Sequence, residues 1–425
     1  MAQKRSVPLL YLSGRPQASI YCPPMARERS NLIQPPEVGS ERFRTSAAIE
    51  TTLAGSLASA FDLSRWAGTS DGLEELLTRT QEAVTRSIEE EGKLRGTIRG
   101  RVLADLATFP DAPSTAGVYR VPDHLLRAAR RNVLLPGHVT ACDGVSASHD
   151  GLTGTVATIG ICLVRYDGLL NTWRSTFLWH DYDTRAADPV GHLRGVLSKR
   201  SKRSTDELAT DDAITVLLRR GLMAAAERKA LLDRGTTRWR MGHGVPAPLE
   251  LLTGGGSVPM VDAALPLLEE LLLKETRWVF LPATMGNRAL LTLANALSPG
   301  ELAIFQKGKP MVEAVIDLGN YAPGYRRKVE AFATRLGEAT VVGGYRATRY
   351  APPQLFVAHA ERAVEAGIVA MADGGLQPHR GYPLLLELAD LGAKTGLGIN
   401  VFGSVVETAY ARAKASHLCA EGRVT

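Results

Sequence analysis

Hydrophobic positions follow two kinds of spacing along this chain. Leu73, Leu76, Leu77, Thr80, Ala83, Val84 and Ile88 recur every three or four residues, and Glu74, Glu75, Arg79, Glu82, Arg86, Glu89 and Glu90 fill the opposite face. This spacing predicts a long amphipathic helix from Gly72 to about Ala107, capped by Thr69-Ser70-Asp71. A helix of that kind serves as a packing or dimerisation arm. From residue 139 the pattern changes to β-branched runs, which predict strands near 139–143, 154–166 and 172–181, with a Gly-rich turn at Asp150–Gly154.

Helix and strand patterns then intermix. Helices are expected over Asp211–Leu232, Asp262–Lys274, Met285–Leu297, Pro353–Ala366 and Tyr382–Thr395, with a short one in Pro246–Gly256. Strands are expected at Arg277–Leu281, Glu301–Gln306, Ala339–Val342 and Ile368–Ala370. A hairpin group followed by such intermixing argues for an α/β domain around one mixed sheet. Residues 1–45, rich in Pro, Ser and Arg, read as an extended arm. Residues 46–135 read as a helical arm and connector, and 136–415 as the main domain.

Composition narrows the class only a little. The 425 residues are 45% hydrophobic, enough for a large core in roughly two or three units. No run approaches a membrane span, and the N-terminal apolar patch is too short for a signal peptide, so a cytoplasmic protein with no membrane partner is expected. Ala, Arg and Gly are abundant, as in proteins from GC-rich bacterial genomes. The four cysteines lie far apart without a CxxC, and Cys142 and Cys162 sit in apolar runs as buried thiols. The net charge of +6 favours encounter with polyanions without locating a site. Two basic clusters, Arg127, Arg130 and Arg131, and Lys199, Arg200, Lys202 and Arg203, are candidate contacts to a nucleic-acid backbone. The second cluster reads equally as a solvated turn.

Candidate chemistry lies in carboxylates. The chain has no GxxxxGK[ST], HExxH or GxSxG, and its nine histidines are scattered, with His149 and His243 in turns. Asp143 ends an apolar approach beside Gly144. It suits a hard divalent cation, although an Asp-Gly pair also makes an ordinary hairpin turn. Glu227, Glu250, Asp262 and Asp390 lie on later helices. Two metal ions about 4 Å apart need several such groups converging from different elements. Glu227 and Asp262 read equally as solvated helix charges, whereas Glu250 stands in the apolar Pro248–Leu252.

Two segments, Asp143-Gly144 with Ser146, and Gly381-Tyr382-Pro383 with Ala389-Asp390, resemble the NurA family of nucleases. The likeness spans 135–412 and is specific only at these anchors. It implies an RNase H-like mixed sheet flanked by helices, a homodimer, Mn²⁺- or Mg²⁺-dependent DNA cleavage, and a HerA-type hexameric ATPase as partner in DNA end processing or phage defence. It also implies metal-binding or catalytic roles for Asp143 and Asp390 and a phosphate contact for Tyr382, and the carboxylates Glu227 and Glu250 are candidates for further ligands. The family's second Asp-Gly pair, sought after Val279-Phe280-Leu281, is replaced by Pro282-Ala283. This departure leaves a second expectation open: a catalytically weakened scaffold subunit of a translocase complex. A small-substrate α/β hydrolase is a third, and it calls for a closed pocket.

Overall fold

A computed structural model describes residues 73–415 except 152–153, 180–186, 192, 196–215, 236, 283–287, 320 and 322–323. The chain divides into two units, 1–82 and 83–425. Of the first, only the start of helix Leu73–Arg101 is described, and its Leu76 and Leu77 are exposed. In the second unit the same helix leaves Val84, Ile88 and Leu94 exposed. Its last turns are fixed by a two-pronged pair from Arg99 to Glu301, both bonds 2.8 Å, and by Arg95 Nη2 donating to the Leu297 carbonyl at 2.9 Å.

The strands are β1 (Gly117–Arg120), β2 (Val139–Gly151), β3 (Gly154–Val164), β4 (Leu170–Trp179), β5 (Trp239–His243), β6 (Trp278–Leu281), β7 (Glu301–Lys307), β8 (Thr340–Arg346) and β9 (Gln354–His359). They form one sheet in the order β1-β7-β8-β9-β6-β5-β2-β3-β4. β2, β3 and β4 run antiparallel, while β5 lies parallel to β2 and β6 parallel to β5. This is the strand order and direction of an RNase H-like core, extended on one side by antiparallel β9, β8, β7 and β1. The expected mixed α/β sheet flanked by helices is therefore the observed architecture.

Side chains alternate across the sheet, as the two-residue period of a strand requires. Cys142, Ile161, Leu163 and Phe280 enter one core with helices Val216–Asp233 and Val258–Leu268. Ala141, Cys162, Val164 and Met241 enter the other with helices Ala363–Gly374 and Leu384–Leu397. Cys142 and Cys162 are buried free thiols, as expected.

Several local expectations are corrected. β2 does not end at Asp143: it pairs with β3 from Ala141 to Gly151, so the Asp-Gly pair lies inside a strand. The helical arm and connector expected over 46–135 contains β1, too short to show alternation. β5 went unread because Trp-Arg-Met-Gly-His carries polar residues into a strand buried along Trp239–Gly242. Gln354–His359 is a strand and not a helix, while Ile368–Ala370 lies within helix Ala363–Gly374 and not in a strand. Short apolar runs fit either period, and neighbours decide between them. The long N-terminal helix ends at Arg101 and continues as a 3₁₀ segment, Leu103–Thr108. Helices Lys309–Leu318 and Phe402–Arg412 were not expected.

One buried carboxylate joins the two helices behind the second core. Asp373 accepts from Tyr166 Oη at 2.5 Å and from the Leu385 amide at 2.9 Å, so it caps helix Leu384–Leu397 from a distance. Burial pushes its pKa up from 3.8 to about 6, against the opposing pull of these hydrogen bonds and of Arg130. The folded state therefore holds a proton that the unfolded chain releases between those values. Stability from this group falls as pH rises from about 4 to about 6 and is flat above. At about 1.4 kcal/mol per unit, the change is roughly 3 kcal/mol. Urea unfolding of Asp373→Asn across this range is expected to lose that slope; an unchanged slope would contradict the assignment.

Candidate active site

The site begins where one ladder stops and its strand continues. The parallel pairing of β2 with β5 covers Val139–Cys142 against Trp239–Gly242. Asp143 is the next residue along β2, still paired with Cys162 on β3 but beyond the β5 ladder. This is the carboxyl end of β5 and β6, which run parallel to β2, and open α/β sheets place their ligands at such ends. His243 ends β5 at the same level, and its Nδ1 lies 3.3 Å from Asp143 Oδ1. The Gly144 amide also donates to Oδ1, at 2.8 Å.

On the other side of the strand stands Glu227, carried by helix Val216–Asp233. A Cβ on Gly144 would fall 2.5 Å from Glu227 Oε1 and 2.9 Å from Met223 Cγ. Glycine here is a condition for the carboxylate's approach, not for a turn. Buried Arg228 pairs with Glu227 Oε2, and its Nη2 donates to the Val245 carbonyl at 2.6 Å. The Arg228 guanidinium lies 5.1 Å from the Phe280 ring centroid. That ring occupies space beside Gly242, where a Cβ would meet Phe280 Cε1 at 2.2 Å. Two strand glycines thus admit the groups that hold Glu227. Burial, with Asp143 adding to it, pushes the Glu227 pKa up to about 7 even though Arg228 and His243 pull it down. The hydrogen bond to Asp143 raises the pKa of His243.

Gly144→Ala is expected to displace the Glu227 helix and to cost about 1–3 kcal/mol by overpacking. The unfolding midpoint would fall; a wild-type midpoint would refute this packing.

Asp143 opens into a cleft of about 580 Å³, shared with His243, His379, Arg380, Tyr382, Glu387, Asp390 and Lys394. Asp390 pairs with Lys394 at 2.7 Å, and Glu387 pairs with Arg380. Burial, aided by the Asp143 charge, raises the Tyr382 phenol pKa, so the phenol stays a hydrogen-bond donor at neutral pH. Asp143, Tyr382 and Asp390 are thus brought together, with Glu227 behind Gly144. Glu250 is not part of the cleft: its Cβ lies 3.4 Å from where a Gly221 Cβ would sit. Asp262 is exposed and held by Lys328 at 2.6 Å and Tyr325 at 2.9 Å.

Arg127 and Arg131 are exposed. Arg130 instead donates through Nε to the Ala372 carbonyl at 2.8 Å, closing helix Ala363–Gly374. Lys199, Arg200, Lys202 and Arg203 lie outside the described residues.

Sequence reasoning looked for the second strand-end carboxylate after β6. The strand beside Asp143 is β5, and it ends in His243-Gly244. Lys394 and Arg228 were missed as well. A basic residue four positions after Asp390 was a legible signal for the Lys394 pair.

Among the described residues, no three Asp, Glu, His or Cys groups are arranged to hold a metal ion. The donor chemistry fits an open site instead. Asp143 and Glu227 are hard oxygen donors, and the charge on Asp143 raises the Glu227 pKa. Mg²⁺ ordinarily takes one or two carboxylates and completes its shell with water and substrate phosphate.

No protein-family model matches this chain, and no curated protein matches it. Among solved structures it is similar to the NurA nuclease from Sulfolobus solfataricus. The TM-score is 0.44 at 10% identity, covering 79% of this chain and 98% of that one. NurA bound to dAMP and manganese gives a TM-score of 0.40 at 10% identity, over 75% of this chain and 93% of that one. Endonuclease V from Ciona intestinalis, in complex with inosine-containing DNA, gives 0.25 at 8% identity, over 61% and 85%. No helix among the described residues is long and apolar enough to cross a membrane.

Proposed function

We propose that this chain is a metal-dependent deoxyribonuclease hydrolysing phosphodiester bonds. One observation carries the reading. Asp143-Gly144 and Gly381–Asp390, the segments resembling NurA nucleases, are far apart in sequence yet both contribute to one cleft. In this reading Asp143 and Glu227 hold Mn²⁺ or Mg²⁺, which when bound supplies Lewis acidity toward the scissile phosphate. Tyr382 donates its phenolic proton to a phosphate oxygen. Asp390, steadied by Lys394, orients the attacking water. His243, whose affinity for protons is raised by Asp143, offsets phosphate charge. Arg127 and Arg131, with Lys199, Arg200, Lys202 and Arg203, contact the DNA backbone and set register without reading sequence. Glu250 has no role in this scheme.

A HerA-type hexameric ATPase and a second copy of the chain are the proposed partners, in DNA end processing or phage defence. Co-elution with such an ATPase and the mass of the purified chain test both. The competing reading is a scaffold subunit with weakened chemistry. It is favoured by the pairing of Asp143, Glu227, Glu387 and Asp390 each with a basic residue. Cleavage of labelled DNA in Mn²⁺ or Mg²⁺, set against EDTA, separates the two. The nuclease reading expects cation-dependent loss of full-length strand; intact DNA in all conditions supports the scaffold.

A further inference from the structure

The rim of the cleft carries an aromatic feature that the proposed chemistry does not use. Tyr350 sits in the β8–β9 connection and is 58% exposed. Its ring centroid lies 5.7 Å from that of His379, at an interplanar angle of 47°. The Arg349 guanidinium lies 4.5 Å from the Tyr350 centroid. His379 itself lines the cleft that contains Asp143 and Tyr382. Tyr350 thus stands immediately outside the site, joined to it by His379.

The loops bearing these rings are fastened together. Gln354 Nε2 donates to the Arg380 carbonyl at 2.9 Å, Tyr345 Oη donates to the Gly381 carbonyl at 3.0 Å, and Thr348 Oγ1 donates to the Pro378 carbonyl. The segments carrying both rings are therefore fastened to each other, while Tyr350 and His379 stay exposed. An exposed aromatic pair with a guanidinium beside it has the make-up of surfaces on which unpaired bases stack, while a cation offsets the backbone charge. Bases inside a duplex are already stacked on their neighbours and have no face to offer. The cations that line the cleft itself, Arg380 and Lys394, are paired with Glu387 and Asp390.

We infer that Tyr350 and His379 form a stacking platform for the bases of a single-stranded nucleic-acid segment entering the cleft, with Tyr350 as the residue that sets the grip on unpaired bases. The inference rests on the nuclease reading for its purpose, but it is tested by binding alone. Anisotropy titrations in EDTA would compare labelled oligothymidylate with an abasic oligomer of equal length. The proteins are wild type, Tyr350→Ala and Tyr350→Trp, each checked for an unchanged unfolding midpoint. Wild type should bind oligothymidylate about tenfold or more tightly than the abasic strand. Tyr350→Ala should lose that preference while keeping its affinity for the abasic strand, and Tyr350→Trp should retain the preference. Equal wild-type affinity for the two strands, or a preference that survives in Tyr350→Ala, overturns the platform. Absence of cation-dependent cleavage by wild type in a separate assay would count against the nuclease reading and leave this binding comparison intact.

Discussion

Asp143→Asn is expected to reduce cation-dependent DNA cleavage by at least about 10²-fold, the scale on which one polar group at a reacting phosphate or acyl centre matters. The substitution preserves shape. Asparagine can still accept from the Gly144 amide, which now donates to Oδ1 at 2.8 Å, and the β2–β3 ladder does not involve the side chain. What disappears is the negative charge. A second readout separates charge from scaffold. The hydrogen bond to Asp143 is the largest cause of the raised His243 pKa, so in Asp143→Asn the imidazole should titrate closer to 6.5. Histidine NMR titration reads this directly. Full activity, or an unmoved His243, would contradict the place given to Asp143.

Arg228→Met should have the largest effect on stability. Arg228 is 2% exposed and pairs with Glu227, which is 5% exposed. Its other hydrogen bonds reach the carbonyls of Ala224, Val245 and Pro246. Removing the guanidinium strands a carboxylate in the core. Breaking a buried pair from one side costs about 3–5 kcal/mol. Glu227, already pushed up to about 7, would rise further and become protonated at neutral pH. Denaturant unfolding should show this loss, and Glu227→Gln combined with Arg228→Met should recover part of it, because no unpaired charge remains. A single substitution with wild-type stability would mean that the pair does not hold the helix as described.

The central meander was legible because β2 to β4 combine β-branched runs with a glycine turn. β5 was not: Trp239–His243 carries Arg240 and His243 three positions apart, which breaks any two-residue alternation, and burial comes from β2 on one side and β6 on the other. The same limit governs the site. Asp143, Tyr382 and Asp390 lie in distinctive local sequence and were singled out. His243 reads as a lone turn histidine until the register pairing Cys142 with Gly242 sets it beside Asp143. Arg228 looks like any helix arginine, because nothing in the sequence shows that Gly242 leaves room for Phe280 beneath it. Pairing across strands and close approach at glycines are long-range properties, and local spacing does not encode them.

The most direct test of the central claim is degradation of end-labelled linear DNA in Mn²⁺, Mg²⁺ or EDTA, with wild type beside Asp143→Asn. Loss of label that requires the cation and disappears in the variant is the result expected of a nuclease centred on Asp143. Wild-type protein that leaves the DNA intact in every condition, or a variant that degrades it at the wild-type rate, would contradict that account.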